Sequence, residues 1–476
     1  MGTDYFFMVS AGYIFLTAAI IAFEIRRTRA SGPDVVSVFM ALFVLQCCLP
    51  GVVIYACLPL AGREHPTDNA AFDHIYNATD LPDGLLILGL TACFVFFFYA
   101  FTALGGTLLR RLRPTGSATP ALLLCGSPWL LSAVLACGLG ITLVSFYFMG
   151  ATWVERYANL ILLRAYSDEV DRTTLNAYAF ELTQTWGWLS IVALFVIYES
   201  RGRGQLWYAT LCSALLFAIL GVSRRALFIP MLLVYLTYVL FNGRWRLKWL
   251  LASALPVLVW VAFGKELLAV VAYGGNVGEV AARYDTLASA FLRTASEVGI
   301  TVTESIGTIN LMDLAPRFGV DHLLSVMRRV PVGWFGGDLG LPVRIVRLST
   351  EAFATPEDQD IPPGFLGQMW LDFRVIGPVV WGFIFAAQVS VVQSLFAATV
   401  RTRQATAAFV LATFVVALPI NSGSFDFTFS VDIIAVMVFL LLTFKFVQVR
   451  LVKRTYPKKY YPAPGAGCTS TQSNRG

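Results

Sequence analysis

The chain has 476 residues, of which 57% are hydrophobic and only 13% charged, and its mean hydropathy is +0.69. Soluble domains carry about a quarter charged residues, so this composition excludes an ordinary water-soluble fold and makes lipid the main solvent. The net charge of +6 sits in short basic clusters between apolar runs, a pattern that speaks of membrane orientation and not of nucleic-acid binding.

Crossing the hydrocarbon core takes about 20 apolar residues per helix. In chain order the sequence predicts spans at about 5–24, 35–60, 83–107, 121–148, 181–198, 205–221, 226–243, 249–264, 366–398, 405–420 and 430–448. These runs are too long and too uniformly apolar for barrel strands, which alternate over about ten residues. The expected fold class is therefore an all-α polytopic membrane protein with eleven transmembrane helices. One decision controls the count. Residues 205–243 are nearly twice the length of a span and are broken by Gly221-Val222-Ser223-Arg224-Arg225, so they are read as two helices.

With eleven spans, the clusters Arg26/Arg27/Arg29, Arg110/Arg111/Arg113, Arg201/Arg203, Arg244/Arg246/Lys248, Arg401/Arg403 and Arg450/Lys453/Arg454 all fall on one side. The bias of lysine and arginine makes that side cytoplasmic, which puts the N-terminus outside and the C-terminus inside. The expected organisation is then 1–264, eight helices with two shorter outer loops; 265–365, a large outer loop; 366–450, three more helices; and 451–476, a polar cytoplasmic tail read as disordered. Within the large loop, helical spacing of Val280, Tyr284, Leu287, Phe291 and Val298 predicts an amphipathic helix over 279–300. A shorter helix is expected from Asp321 to Arg329, ended by Val330-Pro331.

Arg224 and Arg225 are the sharpest chemical signal. They stand at the outer end of two helices, against the charge bias, where a charge is costly unless it faces water or a partner. A guanidinium matches phosphate oxygens bidentately and keeps its charge at physiological pH. The competing reading is that both arginines reach lipid headgroups or cap a turn. Arg328 and Arg329 end the short loop helix, where cations are comfortable without a ligand. Arg374 lies just inside the ninth span with Asp372, too close in sequence for an i,i+4 pair.

Candidate general bases are the outer-side acids Glu297, Glu304, Asp358 and Asp360, with His322 as an alternative. The Asp358-Gln359-Asp360 pair has the form of a weak divalent-metal signal with nothing nearby to complete it, so no metal site is assigned. No HExxH, GxSxG or GxxxxGKS/T sequence occurs, which argues against a zinc protease, a serine hydrolase and a P-loop ATPase.

Gly221-Val222-Ser223-Arg224-Arg225-Ala226-Leu227 resembles the small-Ser-Arg-small-apolar turn of O-antigen polymerases and ligases. Pro363-Gly364-Phe365-Leu366-Gly367-Gln368-Met369-Trp370, followed by Phe373 and Gly377, resembles the end-of-loop segment of oligosaccharide repeat-unit polymerases. Gln368 stands where that pattern has Glu, and Arg374 where glycine is usual. The resemblance implies a GT-C-type membrane glycosyltransferase of the bacterial inner membrane. Its donor would be an undecaprenyl-pyrophosphate-linked oligosaccharide, elongated with no cofactor. It further implies a pyrophosphate contact from Arg224 and an acid or histidine acting as base; from the residues themselves Arg225, Arg328, Arg329 and Arg374 are further candidate pyrophosphate contacts, and Glu304, Asp360 and His322 candidate bases. A polysaccharide chain-length regulator and a flippase would be its partners. Three alternatives stay open at this level: an O-antigen ligase using the same donor, a lipid-linked oligosaccharide flippase or other transporter, and a non-enzymatic assembly scaffold.

Overall fold

The computed structural model describes residues 3–61, 84–112, 121–164, 174–221, 224–245, 248, 302–312, 314–327, 345–352, 362–423 and 431–449. The molecule is a mostly helical, multi-pass membrane protein. Its helices are α1 (Thr3–Thr28), α2 (Val35–Phe43) continued through a π turn at Val44–Cys48 into α3 (Leu49–Ala61), and α4 (Gly84–Leu112). They continue as α5 (Pro128–Phe148), α6 (Trp153–Arg164), α7 (Thr174–Arg201), α8 (Gln205–Leu220) and α9 (Arg224–Asn242). Among the described residues, four short helices follow: α10 (residues 302–311), α11 (Val320–Met327), α12 (Ile345–Ala352) and α13 (Phe365–Phe373). The chain closes with α14 (Gly377–Ala398), α15 (Arg403–Ser422) and α16 (Val431–Thr443). Among the described residues, six stretches are long and apolar enough to cross a bilayer, and three shorter apolar helices accompany them.

Side-chain contacts fix the direction of each helix. Tyr5 receives the Leu85 N–H at 3.3 Å while Tyr99 donates to Glu24 at 2.7 Å, so α1 and α4 run parallel. Gly51 lies against the ring of Tyr13, which sends α2–α3 back the other way. Gly32 packs on the Gly243 backbone at the end of α9, and the Arg403 guanidinium lies 5.4 Å from the Phe241 ring. The Glu199 carboxylate at the end of α7 accepts the N–H groups of Arg403 and Gln404. The ends of α1, α7 and α9 and the starts of α2 and α15 therefore share one end of the bundle. Arg27, Arg201, Arg203, Arg244, Arg401 and Arg403 gather there, and so does the backbone of Arg110 and Arg111 at the end of α4.

A knot of charge closes that basic end. Arg27 donates to Glu24 at 3.0 and 2.8 Å and to Asp34 at 2.8 and 2.7 Å, and Ser37 donates to Glu24 at 2.7 Å. Asp34 and Ser37 also form a reciprocal cap on the first turn of α2, satisfying N–H groups that the helix leaves open.

The break expected at Gly221–Arg225 is present: α8 ends at Leu220 and α9 begins at Arg224. Two other expectations need correction. Residues 121–148 are not one helix; Ala121–Gly126 form a strand, β1, paired antiparallel with β2 (Phe444–Val449) from Ala121↔Val449 to Gly126↔Phe444. The all-α expectation thus gains a two-stranded sheet at the basic end. Neither is 366–398 one span. The rings of Phe365 and Phe385 lie 5.7 Å apart, whereas twenty residues of straight helix would separate them by about 30 Å. The stretch doubles back at Arg374–Ile376, and α13 and α14 form an antiparallel hairpin.

Phe365 also packs against Phe94 and Phe43, with ring centroids at 5.6 and 6.3 Å. Phe94 lies ten residues along α4, about 15 Å from its start. The Pro362–Gly364 segment thus reaches about 15 Å along α4, level with the end of α15 at Gly423, before α13 climbs back. Irregular backbone at that depth is tolerated where protein buries it. Pro363 and Gly364 are buried, and two successive prolines remove two N–H groups that would otherwise need partners there.

Candidate functional site

The end of the bundle opposite the basic cluster holds the start of α9 and the finish of α15. Arg224 and Arg225 form the first turn of α9, which contains no acidic residue. Two cations at the positive end of a helix dipole oppose it by about 0.3–1 kcal/mol each, a cost that an anion placed there would remove. The structure describes their backbone only. Because α9 and α15 lie side by side with Phe241 next to Arg403, Arg224 shares its end of the bundle with Gly423, the left-handed residue that ends α15.

Glu304 is brought to that end from the 265–365 segment. Residues 302–308 of α10 are buried, Val302 and Ile306 join the main core, and Glu304 itself is only 5% exposed. A β-carbon built on Gly423 would stand 3.3 Å from Glu304 Oε2, 3.3 Å from Pro362 and 3.4 Å from the Gly364 Cα. The carboxylate therefore sits where α10, the deep Pro362–Gly364 turn and the end of α15 converge. Thr308 donates to the Pro363 carbonyl at 2.7 Å, and Gly367 lets α13 lie directly on Ser305 and Thr308.

The other end of α13 is stapled to the segment that follows α10. The N–H groups of Arg317 and Phe318 donate to the carbonyls of Leu371 and Asp372, both at 3.0 Å, and so satisfy the last turn of α13. The Asp372 carboxylate is 1% exposed and accepts the Gly319 N–H at 3.2 Å and the Trp381 indole N–H at 3.1 Å. Asp321, fully buried, takes two bonds from Arg317 at 2.5 and 2.6 Å and one from Gln368 at 3.3 Å. Phe318 and Arg374 hold φ values of +52° and +53°, strained for residues with a side chain by about 1–3 kcal/mol each. Both belong to this staple: the Phe318 and Phe373 rings meet edge to face, and Arg374 donates to the Leu314 carbonyl.

Of the residues singled out from sequence, Glu304 stands at the centre of the convergence, buried where an outer-loop acid was expected. Arg374 sits at the hairpin tip, with its guanidinium on Leu314 and 5.7 Å from the Trp370 ring. Arg224, Arg225 and His322 are placed by backbone alone, His322 in α11 beside Asp321. Asp360, Asp358, Glu297, Arg328 and Arg329 lie outside the described residues, as do the expected helix 279–300 and the span 249–264. Sequence reasoning missed Arg317 and Trp381, took Asp321 only as the start of a helix and noted Gln368 only as a departure from the resembled pattern. Asp372 was visible as an apolar-run charge, but its partners lie 53 residues upstream and nine residues downstream. Among the described residues no group of three or more His, Cys, Asp or Glu side chains is arranged to hold a metal ion.

Comparison with protein-family models, with curated proteins and with solved structures gives no match.

Proposed function

We propose that this chain is a polysaccharide polymerase of the GT-C type, joining undecaprenyl-pyrophosphate-linked oligosaccharide repeats at the outer face of a bacterial inner membrane. The observation that carries the reading is the Arg224–Arg225 turn. It opens α9 at the end of the bundle opposite the basic connections, the same end at which the Glu304 carboxylate is buried. Eleven spans, with the N-terminus outside and the C-terminus inside, put that end in the periplasm under the positive-inside rule.

The chemistry divides between the two groups. A sugar hydroxyl of the incoming repeat attacks the anomeric carbon of the lipid-linked glycan. The new glycosidic C–O bond forms as the bond to the pyrophosphate oxygen breaks. Glu304 takes the hydroxyl proton, and Arg224 and Arg225 stabilise the negative charge gathering on the departing lipid pyrophosphate. Glu304 suits this role by its place, buried where α10, the Pro362–Gly364 turn and the end of α15 converge, where a hydroxyl can be held within hydrogen-bond reach. The Pro362–Gly364 turn beside it gives the glycan end of the substrate a backbone floor at the end of α15.

The test is incubation of the purified protein with undecaprenyl-pyrophosphate-linked repeats, without metal or nucleotide sugar. A ladder of products spaced by one repeat is the expected result, and E304Q should lose the ladder while remaining folded. A full ladder from E304Q removes Glu304 from the mechanism; transfer of single repeats onto a lipid A core acceptor, with no ladder, identifies a ligase instead.

A further inference from the structure

We propose that Asp372 is a positioning residue that holds Glu304 in place through the short helix α13. For its activity readout this rests on the polymerase reading; its structural readout does not. Three features carry it. Asp372 ties together three elements, its own helix, the Gly319 turn and α14, through its 3.2 and 3.1 Å bonds to Gly319 and Trp381. Its backbone carbonyl and that of Leu371 are occupied by the same 317–319 segment, so the C-terminal end of α13 has no freedom to fray. The other end of α13 bears directly on α10: Thr308 is bonded to Pro363, and a β-carbon at Gly367 would lie 2.8 Å from Thr308 Cβ and 3.1 Å from Ser305 Cα.

α13 is thus a strut of nine residues, about 13 Å long, with Asp372 at one end and the Glu304 helix at the other. The turns on which Asp372 bears are the strained ones at Phe318 and Arg374, and strained backbone persists only where its surroundings over-determine it. Losing the Asp372 carboxylate takes a buried acceptor from the Gly319 N–H and from the Trp381 indole N–H, and the tip of the hairpin relaxes first. Since seven of its nine residues are buried, the tilt of the strut is passed to α10 and moves Glu304 relative to the Pro362–Gly364 turn.

The experiment uses the full-length protein in lipid nanodiscs, with amide hydrogen exchange and ladder kinetics measured side by side on wild type, D372A, D372N, W381F and D372N/W381F. D372A is expected to speed exchange in 302–311 and 365–373 and to leave 205–242 unchanged. It should lower kcat by about 10- to 100-fold with little change in KM for the lipid-linked repeat, the signature of a misplaced base. D372N keeps one acceptor but sets its amide against the second donor, so W381F, which removes that donor, should partly restore kcat to D372N.

Wild-type exchange in 302–311 of D372A overturns the strut, and loosened exchange with wild-type kcat overturns its role in the chemistry. Should the wild type form no ladder, the polymerase reading fails, and the exchange arm alone decides whether Asp372 holds the Glu304 helix. If D372A does not reach the membrane, W381F carries both readouts with an expected loss of about 2- to 10-fold, the equivalent of one hydrogen bond.

Discussion

Replacing Gly377 with alanine tests the hairpin of α13 and α14 directly. A β-carbon at that position would fall 2.1 Å from the Met369 carbonyl oxygen and 2.7 Å from its carbon. Both are backbone atoms, so no side chain can swing aside. Ordinary contact begins at 3.4 Å, and the helices must part by 1.3 Å to reach it from 2.1 Å. The backbone itself offers no objection, since Gly377 has φ −49°, a helical value that alanine favours. Overpacking of this kind costs about 1–3 kcal/mol. Parting the helices also stretches the 3.1 Å bond between Trp381 and Asp372, adding about 1 kcal/mol. The matched control is Gly89 in α4, whose β-carbon would meet nothing within 4 Å. There alanine should stabilise by about 0.5–1 kcal/mol through helix propensity. Thermal melting of purified protein in detergent should therefore rank G89A at or above wild type and G377A well below it. If G377A melts with the wild type, residues 369 and 377 do not face one another, and α13 runs straight on into α14.

Other expectations follow from the basic end and from the arginine turn. Arg27→Ala leaves Glu24 and Asp34 with no cation between them and should destabilise by about 3 kcal/mol, measured as a drop in melting temperature that Glu24→Gln partly reverses. Asp34, just outside the span that begins at Val35, is pushed up by burial but pulled down further by Arg27 and Ser37, so its carboxyl lies below the ordinary range. A carboxylate depressed on folding contributes stability above its unfolded pKa near 4 and loses it as pH falls through the folded value. Melting temperature should hold from neutral pH to about 4 and then fall, with a shallower fall in D34N; equal slopes in the two proteins would refute the assignment. Arg224→Lys keeps a charge but loses bidentate geometry, so it should form a weaker ladder than wild type and a stronger one than Arg224→Ala; equal activity of all three removes that guanidinium from the donor site.

What the sequence revealed depended on whether the information was local. The separation of α8 from α9 was legible because 39 apolar-rich residues exceed one span and an arginine pair cannot sit in mid-membrane unaided. The alternation of basic connections was legible for the same reason. The hairpin was not, because hydropathy counts apolar residues without registering direction, and what turns the chain is the positive φ of Arg374, a residue that rarely adopts it. Ala121–Gly126 read as helix because Leu122, Leu123 and Leu124 are good helix formers, and the pairing that overrides them comes from the far end of the chain. Glu304 was chosen as a loop acid, and its burial depends on Gly423 and Pro362, which approach it only after the bundle has formed. Arg317 and Asp321 had helical spacing visible in sequence, but their meaning lies in Gln368 and Asp372, brought there by the fold.

The ladder between β1 and β2 also sets a timetable for biogenesis. β1 leaves the ribosome about 320 residues ahead of its partner, an interval of about 15–65 s at 5–20 residues per second. During that wait the edge of Leu122–Leu124 offers open donors and acceptors at the membrane surface, where any extended segment can pair with it. Only the last strand to be made, arriving behind α16, ends the exposure. A nascent chain released before Phe444 therefore carries its helices into the bilayer with this ladder unformed.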